Sequence, residues 1–101
     1  MTVNHSLSDG LVRIELQGEL GHHEAITAMQ RINEIIEVHL PRRVQLDLAG
    51  LSFMDSSGIA VVMRTLRGCR DIGAALSLQG TPQQARRVLS AAGVDKVVDI
   101  K

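Results

Sequence analysis

The stretch Leu48–Met63, LAGLSFMDSSGIAVVM, decides how this chain is read. On its left it completes a segment in which Val44, Leu46 and Leu48 alternate with Gln45, Asp47 and Ala49. That two-residue period is a strand with one face buried. Gly50 is expected to open a loop that runs to Asp55. On its right the period lengthens. Ile59, Val62, Met63, Leu66 and Cys69 recur at helical spacing as a buried face, and Ala60 and Val61 make the first turns apolar almost all round. The polar run Asp55-Ser56-Ser57-Gly58 lies where strand gives way to helix. Asp and Ser are ordinary helix N-caps, so taken alone this run need be nothing more. In open α/β sheets, however, ligands and partners meet the protein at the carboxyl ends of strands, which is where it sits.

Towards the N-terminus, residues 2–8 form a first strand, and Ser8-Asp9-Gly10 turns the chain, since Asp-Gly accepts the positive φ angles of a tight hairpin. Val12, Ile14 and Leu16 then alternate with Arg13, Glu15 and Gln17 in a second strand. Gly18 to Gly21 breaks the pattern. Ala25, Met29, Ile32 and Ile36 follow at helical spacing, widened by Ile35 and Leu40, and this helix ends before Pro41. Towards the C-terminus, Gly73 caps the second helix and Ala75 to Gln79 is a further strand. Thr81 is expected to cap a third helix with Pro82 at its first position. Its stripe is Ala85, Val88, Leu89 and Ala92, Gly93 closes it, and Val97-Val98 adds a last short strand. The order β-β-α-β-α-β-α-(β) predicts one α/β domain over residues 1–101. Its sheet is mixed and mostly parallel, of four to five strands, with helices mainly on one face.

Composition bounds the function. Phe53 is the only aromatic residue, so the core must be aliphatic. Lys+Arg and Asp+Glu are 11 each, leaving no basic surplus for nucleic acid. The pairs Arg42-Arg43 and Arg86-Arg87 read as solvated edges. Cys69 is the single cysteine, which forbids an internal disulfide, suits a reducing cytosol and reads as a buried, inert thiol. The opening MTVNHSLSDG lacks the features of a signal peptide, and no window approaches the roughly 18 apolar residues of a membrane span. A cytoplasmic protein without membrane contact is expected.

Catalytic and metal chemistry find little support. His22 and His23 are adjacent, so on a helix they point about 100° apart and do not readily share an ion. His5 and His39 lie at element edges. The sequence around Ser56 does not match the Gly-x-Ser-x-Gly nucleophile elbow, and there is no Walker A loop, so any ATP must come with a partner. No catalytic residue, cofactor or metal is expected. Phe53 is expected in the core; Met54 is open between core and contact surface.

Leu51–Gly58, LSFMDSSG, and Gly18–Ala25, GELGHHEA, together resemble the STAS domain family, and within it the bacterial anti-sigma factor antagonists of sporulation and stress regulation. The resemblance implies that the unphosphorylated protein binds an anti-sigma factor that is itself an ATP-dependent serine kinase. It implies that this kinase phosphorylates Ser56 and so ends the binding, and that a PP2C-type phosphatase resets the cycle. The contact surface it implies is Met54, Asp55, Ser56, Ser57 and Gly58 together with Gly21, His22 and His23. Gly21 stands where the family usually carries Asp. Other uses of the same fold are a subunit that holds a small anionic ligand or nucleotide, and a scaffold component of a larger complex.

Overall fold

A computed structural model describes every residue, Met1–Lys101. The elements are β1 (Thr2–Ser8), β2 (Leu11–Leu20), α1 (His22–His39), β3 (Arg43–Met54), α2 (Ser57–Asp71), β4 (Ala75–Gln79), α3 (Gln83–Ala91), a 3-10 turn (Val94–Lys96) and β5 (Asp99–Ile100). Asp9 and Gly10 both hold positive φ, 45° and 81°, the pair of left-handed residues that a two-residue hairpin needs. They join β1 antiparallel to β2. The other neighbours are parallel, and the strands lie in the order β1-β2-β3-β4-β5. Three crossovers that all step the same way, each right-handed, must place their helices on one face of the sheet. The α/β fold, mixed sheet and one-sided helices are therefore as the element order predicts.

That one-sidedness shapes the burial. Val12, Ile14, Leu16 and Leu20 of β2, Val44, Leu46 and Leu48 of β3 and Leu78 of β4 face the helices and are buried. Against them pack Ala25, Ala28, Ile32, Ile35 and Ile36 of α1, then Val61, Val62, Leu66 and Cys69 of α2, then Ala85 and Leu89 of α3. The opposite face is polar, and Arg13 of β2 pairs there with Asp47 of β3.

Several expectations are corrected. The second strand does not break at Gly18, and the third does not end at Gly50. Both run on, to Leu20 and Met54. Two bulges on β3 account for this: Glu15 faces Asp47 but Gln17 faces Gly50, and Gly18 faces Leu51 but Glu19 faces Phe53. Each inserts one extra β3 residue, so the inward positions become Leu48, Leu51 and Met54. Leu40 does not widen the α1 stripe. It ends the helix in a left-handed conformation before Pro41 and is 65% exposed. The buried face of α2 is turned from the predicted one. Met63 is 39% exposed, Ile59 is half-buried, and Val61 and Thr65 are buried instead. Thr65 tolerates this because its hydroxyl donates to the Val61 carbonyl at 2.8 Å.

On α3, Val88 is half-buried and Ala92 exposed, so the buried stripe is narrower than predicted. Thr81 does not cap α3. Its hydroxyl is buried without a partner, its N–H donates to the Lys101 carbonyl, and the helix starts after Pro82. The last strand is Asp99–Ile100, reached through the 3-10 turn, while Val97 and Val98 precede it.

Candidate functional site

The parallel strands β2 and β3 end side by side, and the chain leaves them at Gly21 and Asp55. The Asp55 N–H donates to the Leu20 carbonyl at 3.2 Å, a last rung beyond the ladder. Asp55 then starts α2. Its Oδ1 accepts from the Ser57 N–H at 2.8 Å and its carbonyl accepts from the Gly58 N–H at 3.0 Å. Asp55 is thus the working cap of the helix. Ser56, one residue on, makes no capping hydrogen bond through its side chain, and it is exposed. Ser57 and Asp55 are half-buried.

Two further contacts hold this turn from below. Met54 is fully buried and lies against Gly58. A Cβ on Gly58 would overlap Met54 Cγ and Sδ, so only glycine fits there while Met54 keeps its place. Gln84, in the first turn of α3, grips the Met54 backbone with both ends of its amide. Its Oε1 accepts from the Met54 N–H at 2.9 Å, and its Nε2 donates to the Met54 carbonyl at 2.7 Å. β4 leaves β3 after Asp47 pairs with Gln79, so this amide does for Met54 what a neighbouring strand would have done.

The second motif arrives from the side. Gly21 precedes α1, and a Cβ there would lie 3.5 Å from Asp55 Oδ2 and 3.0 Å from Glu24 Oε1. Glu24 turns back so that its Oε1 accepts from the Gly21 N–H at 3.1 Å, half of a capping box. An aspartate at position 21 would set a third carboxylate against these two. His22 and His23 follow in the first turn of α1, both exposed, with ring centroids 5.7 Å apart. No three His, Cys, Asp or Glu side chains gather in a metal-binding group.

The structure therefore brings Gly21, Asp55, Ser56, Ser57 and Gly58 to one end of the sheet, with His22 and His23 beside them. It corrects two neighbours. Met54, expected among the contact residues, has no exposed surface and supports the turn from inside. Phe53, expected in the core, is 46% exposed, because the second bulge puts it opposite Glu19 on the outer face. Sequence reasoning missed Gln84, whose partner lies 30 residues away and leaves no local pattern.

Residues 3–101 match the family model of the STAS domain. The chain belongs to that family. An anti-sigma F factor antagonist of Paenibacillus polymyxa is 28% identical over 91 residues, covering 90% of this chain and 78% of the relative. Another anti-sigma F factor antagonist, from Lysinibacillus sphaericus, is 31% identical over 83 residues, covering 82% and 71%. The solved structure of SpoIIAA, an anti-sigma factor antagonist, in its unphosphorylated form shares the STAS fold at a TM-score of 0.83 and 24% identity, covering 99% of this chain and 88% of that one. The phosphorylated form of the Bacillus protein SpoIIAA does so at a TM-score of 0.75 and 24% identity, covering 99% and 91%. No helix of the molecule is long and apolar enough to cross a membrane.

Proposed function

We propose that this STAS protein is a cytoplasmic anti-sigma factor antagonist switched at Ser56. The unphosphorylated form binds an anti-sigma factor with ATP-dependent serine kinase activity and so releases the sigma factor. Phosphorylation of Ser56 by that kinase ends the binding, and a PP2C-type phosphatase restores it. The chain acts by binding and carries no catalytic group of its own.

One observation carries this reading: Asp55 caps α2, which leaves the Ser56 hydroxyl exposed and uncommitted on a turn that is otherwise held rigidly. A phosphate there adds roughly −1.5 to −2 charges at pH 7. The N–H groups of Ser57, Gly58 and Ile59 are already taken, by Asp55 Oδ1, the Asp55 carbonyl and the Ser56 carbonyl, and of the first turn only the Ser56 N–H is left over. The Ser56 N–H and the helix dipole are left to favour the phosphate, and the fold tolerates it without rearranging. The cost falls on the interface, where juxtaposed like charge costs several kcal/mol. The same occupied N–H groups speak against a small anionic ligand at this helix end, since a single backbone donor, that of Ser56, is left to hold it.

The test is capture from the native host with immobilised Ser56→Ala and Ser56→Glu proteins as parallel baits. An anti-sigma kinase held by the Ala bait and absent from the Glu bait is the expected result. Identical captures on both baits point instead to a scaffold role.

A further inference from the structure

The exposed side of α2 has a chemistry that the switch residue alone does not use. Arg64, Arg67 and Arg70 are all exposed on it, and the molecule's ion pairs involve none of the three. Asp71 and Glu37 of α1 line the same surface, so three guanidinium groups stand against two carboxylates and the local excess is one positive charge. At about 100° per residue, Arg67 returns to within about 20° of Ser56, with Met63 about 20° and Arg70 about 40° to the other side, while Arg64 stands about 80° off, at the edge of the stripe towards Glu37 of α1. The stripe runs opposite the buried face of Gly58, Val61 and Thr65. Between the serine and the arginines lie Ala60 and the exposed Met63, and an open groove of about 500 Å³ follows them along the helix.

We infer that this stripe is the face of α2 that docks an acidic surface of the anti-sigma kinase, with Ser56 at one end and the arginines at the other. The inference rests on the switch reading above and deepens it. Arginine and methionine are the residues enriched at protein interfaces, and every basic residue of α2 is arginine. A nucleic acid fits less well: the patch is three guanidinium groups with Asp71 and Glu37 among them and an apolar centre, whereas a duplex presents a charge about every 1.7 Å. The stripe also explains how one partner surface reads both states. Arg64, the nearest of the three, lies about 12 Å along the axis from Ser56 and Arg67 about 16 Å, both beyond the Debye length of roughly 8 Å at physiological salt, so the arginines do little to neutralise a phosphate. Partner carboxylates that face the arginines attract them and are screened from the phosphate by the same distance, so the phosphate is repelled only by those that face Ser56 itself at the head of the stripe.

The experiment uses the anti-sigma kinase recovered on the Ser56→Ala bait, purified, and the full chain. Association and dissociation are measured across a salt series for the wild type, for Arg64→Gln/Arg67→Gln/Arg70→Gln together, and for the matching triple change to Glu. The Gln variant is expected to bind about tenfold more weakly or worse, chiefly through slower association, with a flatter salt dependence. The Glu variant loses more, and circular dichroism shows both folded. Wild-type affinity and salt slope in the Gln variant would overturn the inference while leaving the Ser56 switch standing. So would a short DNA duplex that the wild type binds and the Gln variant does not, for the stripe then serves nucleic acid. If the Ala bait yields no kinase, the switch reading fails first and takes this one with it.

Discussion

At the scale of single residues, the division of labour between Asp55 and Ser56 is the central point. Adjacent Asp and Ser at a helix start look interchangeable, since either side chain caps well. Here the backbone settles the matter: Ser56 already has helical angles, φ −61° and ψ −19°, so the capping position falls on Asp55. Stability should follow. Asp55→Ala is expected to cost about 1 kcal/mol in urea unfolding, the usual loss for a cap. Ser56→Ala should stay within about 0.5 kcal/mol of wild type, as for an exposed side chain without partners. Equal losses for the two variants would mean that Ser56 shares the capping, and the observation behind the switch reading would fall. Met54 and Gly58 work as a pair at the same scale, one filling the space that the other leaves empty.

At the scale of elements, the site depends on α3 as much as on α2. The Gln84 amide ties the start of α3 to the last residue of β3. Gln84→Ala is expected to cost about 1 kcal/mol per hydrogen bond lost, and to speed amide exchange at Met54 and Asp55 while the β1–β2 hairpin keeps its protection. Gln84→Glu should be worse at neutral pH, because its carboxylate faces the Met54 carbonyl, and should recover in acid, where a protonated carboxyl can donate. Unchanged exchange at Met54 in both variants would show the clamp to be idle.

Elements also mark how far the sequence could be read. The strands and helices and their order along the chain were legible because each follows a period of two or of about 3.6, and the hairpin because Asp9-Gly10 marks its turn. The end of β3 was not, because two bulges give Leu48, Leu51 and Met54 a spacing of three that belongs to neither pattern. The exchange of roles between Phe53 and Met54 follows from the same slip. The place of Ser56 and its neighbours at the head of α2 was legible because the polar run falls where the strand period gives way to the helix period. Gln84 was not, since its bond joins a side chain to a distant backbone.

At the scale of the molecule, one layer of helices on one face of a sheet gives a single aliphatic core, and Cys69 lies inside it. Burial pushes its thiol from an ordinary 9.0 up to about 11. The folded protein therefore keeps this proton where the unfolded chain has released it. The stability that Cys69 contributes is full below about pH 9 and is lost as the pH rises towards 11. Unfolding of the wild type and of Cys69→Ala between pH 8 and pH 10.5 should show the wild type losing more over the interval. A thiol reagent at pH 8 should label Cys69 only when the chain opens. Rapid labelling of the native protein would contradict its place in the core.

The position of Phe53 has an optical consequence. The chain contains no tryptophan or tyrosine, so it is almost transparent at 280 nm and silent in intrinsic fluorescence. Its one phenyl ring lies outside the core, on the strand that leads into Ser56. A Phe53→Trp protein would carry a lone fluorophore beside the switch, with no background from the interior. Partner docking or phosphorylation could then be followed by light alone, in a molecule that otherwise gives no signal.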